Sequence, residues 1–450
     1  MSNIQIPESL LTELASIKQF DREKFIEVHQ QNPSVSIRWN TEKKQSEKDG
    51  APVPWCENAY YLPERPFFTF DPIFHGGAYY VQEASSMFIW EILKNVFPDR
   101  NAEVKVLDLC AAPGGKTTLL GSYFKNGLVV GNEIIKSRAN ILVENTSKWG
   151  TGNFIVSNND PKQFAGLKDY FDVILVDAPC SGSGLFRKEP SWREEWTEAN
   201  VDLCSERQQR ILADIYPALK KDGILIYSTC SYSVKEDEAI LDWFSADFEV
   251  ENLKIPLNEN WGIVETNSKS DQVGYRFFPD KLDGEGFFAA VFRKKESSGY
   301  TPFLGGKYTQ PNKMEVEIVQ KWLVLGDYFF FKIQDSIHCI AKKWQADVEL
   351  LHSKLYLKKA GTEVGEVKKD LVPAHELALS IHLNRSNCHV FELNTEQSLQ
   401  YLRKNNLERL PEMENGWTLI THSNVGLGWI KALPNRINNY YPTEWRILKQ

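Results

Sequence analysis

No stretch of this 450-residue chain reaches the roughly 20 consecutive apolar residues that span a bilayer, so no transmembrane helix and no membrane partner are expected. The first residues, Met1-Ser2-Asn3-Ile4-Gln5-Ile6-Pro7, lack the basic and apolar regions of a signal peptide. Seven cysteines, an odd number, are scattered without a CxxC pair. That argues against a zinc site or a disulfide framework and for a reducing cytoplasm, so no metal is expected. Internal repeats and low-complexity tracts are missing too. So is strong positive charge, the net charge being −8. Residues 298–450 carry 19 Lys+Arg against 16 Asp+Glu, and the rest 33 against 44, so the small basic excess lies in the C-terminal third. A nucleic-acid partner would have to be met through local basic patches.

The length implies two to four domains. Residues 1–75 read as a small α+β module. Pro7–Ile17 and Asp21–Gln31 look helical, with Pro7 and Asp21 as start signals, and Val35–Trp39 alternates like a strand. Residues 76–297 alternate strand and helix patterns, which implies an α/β unit with a largely parallel sheet. Its expected strands are Val104–Leu109, Leu128–Asn132, Phe154–Ser157, Phe171–Val176 and Gly223–Thr229. Its expected helices are Thr117–Phe124, Ile135–Trp149, Cys204–Leu219 and Lys235–Phe244, and Gly286–Phe292 closes the sheet. Residues 298–370 hold a linker, Ser298–Asn312 with Pro302, Gly305 and Gly306, then a small domain of short alternating runs such as Leu355-Tyr356-Leu357. Residues 371–450 form a last β-rich module containing Gly416–Thr421 and Gly426–Ile430.

Three motifs follow strand signals of one kind: Asp108-Leu109-Cys110-Ala111-Ala112-Pro113-Gly114-Gly115-Lys116-Thr117, Asp177-Ala178-Pro179-Cys180-Ser181, and Ser228-Thr229-Cys230-Ser231. Ligands of open α/β sheets bind at the carboxyl ends of strands, so a cofactor turn and two thiols would face one crevice. The glycine turn resembles the end of a P-loop, but Cys110 stands where a P-loop needs glycine, so ATP is not expected. The turn Cys110–Lys116 still offers close backbone approach and helix-terminal N–H groups. Glu133, after the next strand, can take both ribose hydroxyls of a nucleoside cofactor. Asn158-Asn159-Asp160, after the third, can bond an adenine edge. Cys56, Cys110, Cys204, Cys339 and Cys388 fit ordinary small hydrophobes. Cys180 and Cys230 do not, because Pro179 and Gly182 break the chain around one and hydroxyl residues surround the other. A reactive thiol needs a lowered pKa or a nearby base, and Asp177 is the nearest candidate.

These three motifs resemble the Nop/Sun family of RNA cytosine-C5 methyltransferases. Further matches are Gln82–Met87, Arg187-Lys188-Glu189-Pro190, Arg276–Pro279 and Gly284–Phe288, so the resemblance covers about residues 30–295. Asn132-Glu133, Ser137-Arg138 and the long C-terminal extension are most similar to the members that act on bacterial 16S rRNA. The resemblance implies a class I, Rossmann-like methyltransferase core with S-adenosylmethionine on Cys110, Ala111, Ala112, Pro113, Gly114, Gly115 and Lys116. Glu133 would hold the ribose, Asp160 the adenine and Asp177 the methionine end. Cys230 would be the nucleophile and Cys180 the thiol that helps release product. The residues alone leave the reverse assignment open, since DNA cytosine methyltransferases attack with the proline-cysteine thiol.

The chemistry fits cytosine, whose C5 is a poor nucleophile until a thiolate adds to C6. A duplexed base cannot present C6, so the target must be unpaired or flipped out. The resemblance also implies 16S rRNA or the small ribosomal subunit as partner, an RNA-facing N-terminal module with Arg38 and Asn40, and a PUA-like RNA-binding module in 371–450. A monomer is expected. A tRNA substrate and a catalytically silent rRNA-binding assembly factor are the alternatives; a pure binder needs neither thiol. Lys358-Lys359 and Lys368-Lys369 either contact phosphate or form solvated turn rims. Trp417, Trp429, Tyr440 and Tyr441 either stack on bases or fill a core.

Overall fold

The computed structural model describes residues 5–44, 50–301, 308–405, 407–409 and 411–448. Met1–Ile4 and the linker's Pro302, Gly305 and Gly306 lie outside the described residues.

The middle of the chain supplies strands that are apolar at nearly every position, as strands covered on both faces must be. In chain order they are β1 (Lys105–Asp108), β2 (Leu128–Asn132), β3 (Phe154–Ser157), β4 (Phe171–Asp177), β5 (Leu219–Thr229), β6 (Val264–Asn267), β7 (Val273–Phe277) and β8 (Phe287–Lys294). They are joined by β9 (Leu357–Ala360) from further along the chain. The order across the sheet is β6-β7-β8-β5-β4-β1-β2-β3-β9, with the short strand Val250–Asn252 also pairing β8. Strands β1 to β5 are mutually parallel, while β6, β7, β8 and β9 run antiparallel to their neighbours. The mixed sheet is therefore a doubly wound α/β core with an antiparallel margin on each side.

The two-residue side-chain period sorts the strand residues onto two faces. Leu107, Ile174, Val176, Leu225 and Tyr227 pack with Ile211, Leu212, Ile240 and Leu241. Val106, Val173, Leu175, Ile224 and Ile226 pack with Ile92, Leu93, Leu119 and Leu120. The covering helices are α1 (Ile89–Val96), α2 (Gly115–Tyr123), α3 (Lys136–Trp149), α4 (Glu198–Ile215) and α5 (Glu238–Asp247). Every parallel strand hands its carboxyl end to the same edge, where Asp108, Asn132, Asp177 and Thr229 terminate their strands.

The N-terminal module has helices Glu8–Leu14 and Arg22–Val28, the second capped by the Asp21 carboxylate accepting from the Lys24 N–H at 3.1 Å. Its three-stranded sheet centres on Val35–Trp39. Arg38 and Asn40, the residues that match the RNA-facing module by resemblance, are 1% exposed. Arg38 donates to Gln82, Thr118 and the Gly115 carbonyl and lies over the Trp149 ring. Asn40 donates to the carbonyls of Gly77 and Trp149. Both bolt this module to α2 and α3, because a strand residue that points at another domain must be satisfied there.

Beyond the core lie two four-stranded sheets, Tyr328–Pro373 and His389–Asn439 in extent. The expected turn rim at Lys358-Lys359 is instead part of β9, and Lys359 is buried in an ion pair with Glu376. Lys368 and Lys369 do sit exposed on a turn. Trp429 and Tyr441 are core residues at 1% exposure, whereas Tyr440 is exposed.

Candidate active site

A strand-to-helix turn that brings backbone close to a ligand needs a residue without Cβ, and Gly114 meets that need with φ +116° at the N-cap of α2. Three longer-range bonds hold the turn. The Ala111 N–H donates to the Asn132 carbonyl, Arg138 to the Ala112 carbonyl and Asn145 to the Pro113 carbonyl. The result is a pocket of about 170 Å³ lined by Asp108, Cys110–Pro113, Gly115, Lys116 and Asp177. Tyr80, Gln82, Glu83 and Ser86 form its other wall.

Charges at this pocket are arranged in a chain. Lys116 Nζ lies 2.9 Å from Asp177 Oδ2, and Asp177 Oδ1 accepts from Ser228 Oγ at 2.8 Å. Burial opposes the Lys116 charge, but Asp177, Asp108 and Cys230 outweigh it and raise the pKa, so Lys116 is an ammonium. Asp108 is 1% exposed. One of its oxygens accepts from Thr117 Oγ1 at 2.6 Å and the other is buried without a partner. Burial pushes its carboxyl up to about 7. An unpartnered buried acceptor beside a helix N-terminus fits a ligand that carries both a cation and an anion, such as the amino-acid end of S-adenosylmethionine.

The two thiols meet on the turns that follow β4 and β5. β4 and β5 pair in register at Asp177 and Ser228, so the turns that follow them start level. Cys180 Sγ and Cys230 Sγ end 3.0 Å apart in a hydrogen bond, both half-buried and free of any disulfide. Their loops are cross-tied by the Gly184 N–H donating to the Cys230 carbonyl at 2.8 Å and the Gly286 N–H to the Gly184 carbonyl at 3.0 Å. The hydrogen bond to Cys230, burial, and the negative charge of Glu236 push the Cys180 thiol well up, so it is protonated.

Asp108, Cys110–Lys116, Asp177, Cys180 and Cys230 are thus brought together. Glu133 and Asp160 stand apart from the pocket wall. The Glu133 carboxylate accepts from the Ile135 N–H at 2.9 Å and pairs with Arg138 at 3.5 Å. The Asp160 carboxylate caps the turn Pro161–Gly166 by accepting from the Lys162 N–H. Asn158 and Asn159 are occupied as well, bonding the Glu133 carbonyl and the Tyr356 backbone beside β9.

Family profiles match three stretches of the chain. Residues 96–293 match the 16S rRNA methyltransferase RsmB/F, 6–84 the N-terminal domain of 16S rRNA methyltransferase RsmF, and 388–447 the methyltransferase RsmF PUA domain. The chain thus carries an RsmB/F-type methyltransferase domain between RsmF-type N-terminal and PUA domains. Ribosomal RNA small subunit methyltransferase F of Vibrio parahaemolyticus is 29% identical, the alignment covering 98% of each chain. The Salmonella newport protein of the same name is also 29% identical, over 98% of this chain and 96% of the relative. A crystal structure of a methyltransferase homologue from Pyrococcus horikoshii superposes with a TM-score of 0.52 at 28% identity, covering 64% of this chain and all of that one. In RsmB/F terms the mixed sheet is the Rossmann-like methyltransferase core and residues 388–447 are the PUA domain. Among the described residues no helix is long and apolar enough to cross a membrane, and no group of three His, Cys, Asp or Glu side chains is placed to hold a metal.

A cluster of three buried acids beside this RsmB/F site was not legible in the sequence as functional. Lys235-Glu236-Asp237-Glu238 reads as a solvated helix start, yet Glu236 and Asp237 are 0% exposed and Glu238 is 6%. A pointer does exist. Arg276 sits within the apolar strand β7, and a buried arginine demands buried acids; it bonds Glu238 and Asp237.

Proposed function

We propose that this protein methylates C5 of an unpaired cytosine in 16S rRNA, with Cys230 as nucleophile and Cys180 as the release group. S-adenosylmethionine, the cofactor of this family, supplies an electrophilic methyl group when bound. The Cys110–Lys116 turn and the α2 N-terminus would hold its carboxylate, and the free oxygen of Asp108 with Asp177 its ammonium. Glu133 would take the ribose and Asp160 the adenine, after releasing the internal bonds that each now makes. The observation that carries the reading is the thiol pair, 3.0 Å apart beside the Lys116–Asp177 ion pair.

The thiol pKa that is pushed up at Cys180 supports Cys230 rather than Cys180 as the attacking sulfur. Addition of the Cys230 sulfur to C6 would push the C5=C6 electrons onto C5, which could then take the methyl group of a bound sulfonium as its S–CH3 bond breaks and the neutral thioether leaves. Asp177 would hydrogen-bond the base. A base must then take the C5 proton, so that the C–H electron pair restores C5=C6 and expels the Cys230 thiolate; Cys180 would help this release. General acid–base help of this kind is worth about 10²–10⁴-fold. Action as a monomer is part of this reading, and the rRNA substrate supports a cytoplasmic location.

Denaturing gels after incubation with rRNA and methyl-labelled S-adenosylmethionine test this reading. A labelled protein–RNA adduct with Cys180→Ala and none with Cys230→Ala is the expected result. The reverse pattern would exchange the two roles. Label on tRNA alone would give the tRNA reading, and no transfer by wild type the assembly-factor reading.

A further inference from the structure

Two loops that meet at a reaction centre need something to fix their separation, and thiols 50 residues apart in sequence have no covalent reason to stay in contact. The fixed point here is Glu236. Its carboxylate is 0% exposed and lies between the two cysteine loops. One oxygen accepts from the Ser181 N–H at 2.8 Å and from Gln208 Nε2 at 3.1 Å. The other accepts from Ser181 Oγ at 2.5 Å and Ser231 Oγ at 2.6 Å. Ser181 directly follows Cys180, and Ser231 directly follows Cys230. Gln208, reaching from α4, also donates to the carbonyl of Pro179, the residue before Cys180. One carboxylate therefore receives hydrogen bonds from both loops.

We propose that Glu236 is a positioning residue for methyl transfer: its buried carboxylate holds the Cys180 and Cys230 loops at thiol–thiol contact through Ser181 and Ser231. The inference rests on the roles given above to the two thiols. Burying a charged acid is costly unless it is hydrogen-bonded, and four donors meet that cost only if both loops are in place. Loop geometry and carboxylate charge thus depend on each other. The charge has a second effect, since it faces the Cys180 sulfur and disfavours a thiolate there. Glu236 acts through the thiols and touches neither the cofactor pocket wall nor the Lys116–Asp177 pair.

Glu236→Gln keeps the side chain's shape, removes the charge and turns an acceptor into a donor facing a serine. The expected result is a fall in kcat of about 10²-fold, the scale set by misplacing reacting groups by about 1 Å. KM for S-adenosylmethionine should stay near the wild-type value. In a Cys230→Ser background, Glu236→Gln should also move iodoacetamide alkylation of Cys180, read by peptide mass spectrometry, to lower pH. A merely structural role would not move that profile. The proposal is overturned if Glu236→Gln turns over at the wild-type rate. It is also overturned if kcat, cofactor affinity and thermal stability fall together while the Cys180 profile stays put. Should Glu236→Gln not fold, Ser231→Ala removes only the hydroxyl that ties the carboxylate to the Cys230 loop. A lower kcat then supports the inference, and an unchanged one overturns it. Absence of methyl transfer to 16S rRNA by wild type, together with no adduct from Cys180→Ala, would sink the proposed function as well, whereas normal wild-type transfer with an unaffected Glu236 variant sinks this inference alone.

Discussion

The carbonyl of Cys230 accepts a hydrogen bond from the Gly184 N–H at 2.8 Å, and a Cβ built on Gly184 would stand 2.7 Å from that same carbonyl oxygen and 2.5 Å from the Gly286 carbonyl. Three loops, those after β4 and β5 and the one before β8, therefore close on a residue that has no side chain.

Gly184→Ala should for that reason misplace Cys230 without touching it. Backbone contacts under 3 Å cannot be relieved by a rotamer change, so the loops must part. We expect kcat to fall by about 10²-fold and stability by about 1–3 kcal/mol. Steady-state kinetics with a chemical denaturation curve checks both.

Arg276 is 1% exposed and bonds Glu238 through Nε at 2.7 Å, Asp237 at 3.1 Å and the Tyr232 carbonyl at 2.8 Å. Arg276→Met removes the cation and leaves two acids in the core. A loss of about 3–5 kcal/mol is expected, the range for breaking a buried pair from one side. A denaturation midpoint within error of wild type would refute this account of the acid cluster.

Asp108 sets a pH dependence of stability. Its folded pKa is raised to about 7 from a model-compound value of 3.8, chiefly by burial. The folded state then holds the proton more tightly than the unfolded state. The stabilising contribution is complete below the unfolded value and is lost as pH rises through the folded one, between about pH 4 and pH 7. Asp108→Asn carries no such proton. The melting temperature of wild type relative to Asp108→Asn should drop across that window and level off above it, as calorimetry at a series of pH values would reveal.

Arg38 separates a structural from an RNA-binding role. Burial lowers its pKa to about 10, and its partners Gln82, Ser122, Thr118 and Gly115 include no acid. Arg38→Met should cost about 1–3 kcal/mol through the acceptors it leaves unpaired. RNA affinity should still fall steeply with salt in both proteins, and the slope should be the same. A slope smaller by about one would mean that Arg38 meets a phosphate after all.

Local chemistry made the parallel strands readable. Leu128–Asn132 and Phe154–Ser157 fall where expected because apolar runs bounded by turn residues have few other uses. Ends were less sharp: α4 begins at Glu198 rather than Cys204, since Thr197 caps it by accepting from the Asn200 N–H. β6, β7 and β9 were not legible. Leu357–Ala360 contains two lysines and looks like a turn, but it is a strand because the edge of β3 lacks a partner and its backbone supplies one.

By itself the sequence determined what could react: a glycine turn, two strand-end cysteines and an acid before one of them, each placed by a local strand signal. It determined the family for the same reason, since those motifs are contiguous. The tertiary structure alone decided what meets what. It buried Arg38, Glu236 and Arg276, whose charges would otherwise stay in water, and it brought Cys180 to Cys230. Burial and long-range hydrogen bonds depend on which surfaces the sheet order brings together. That order is a property of the whole fold, and no window of residues contains it.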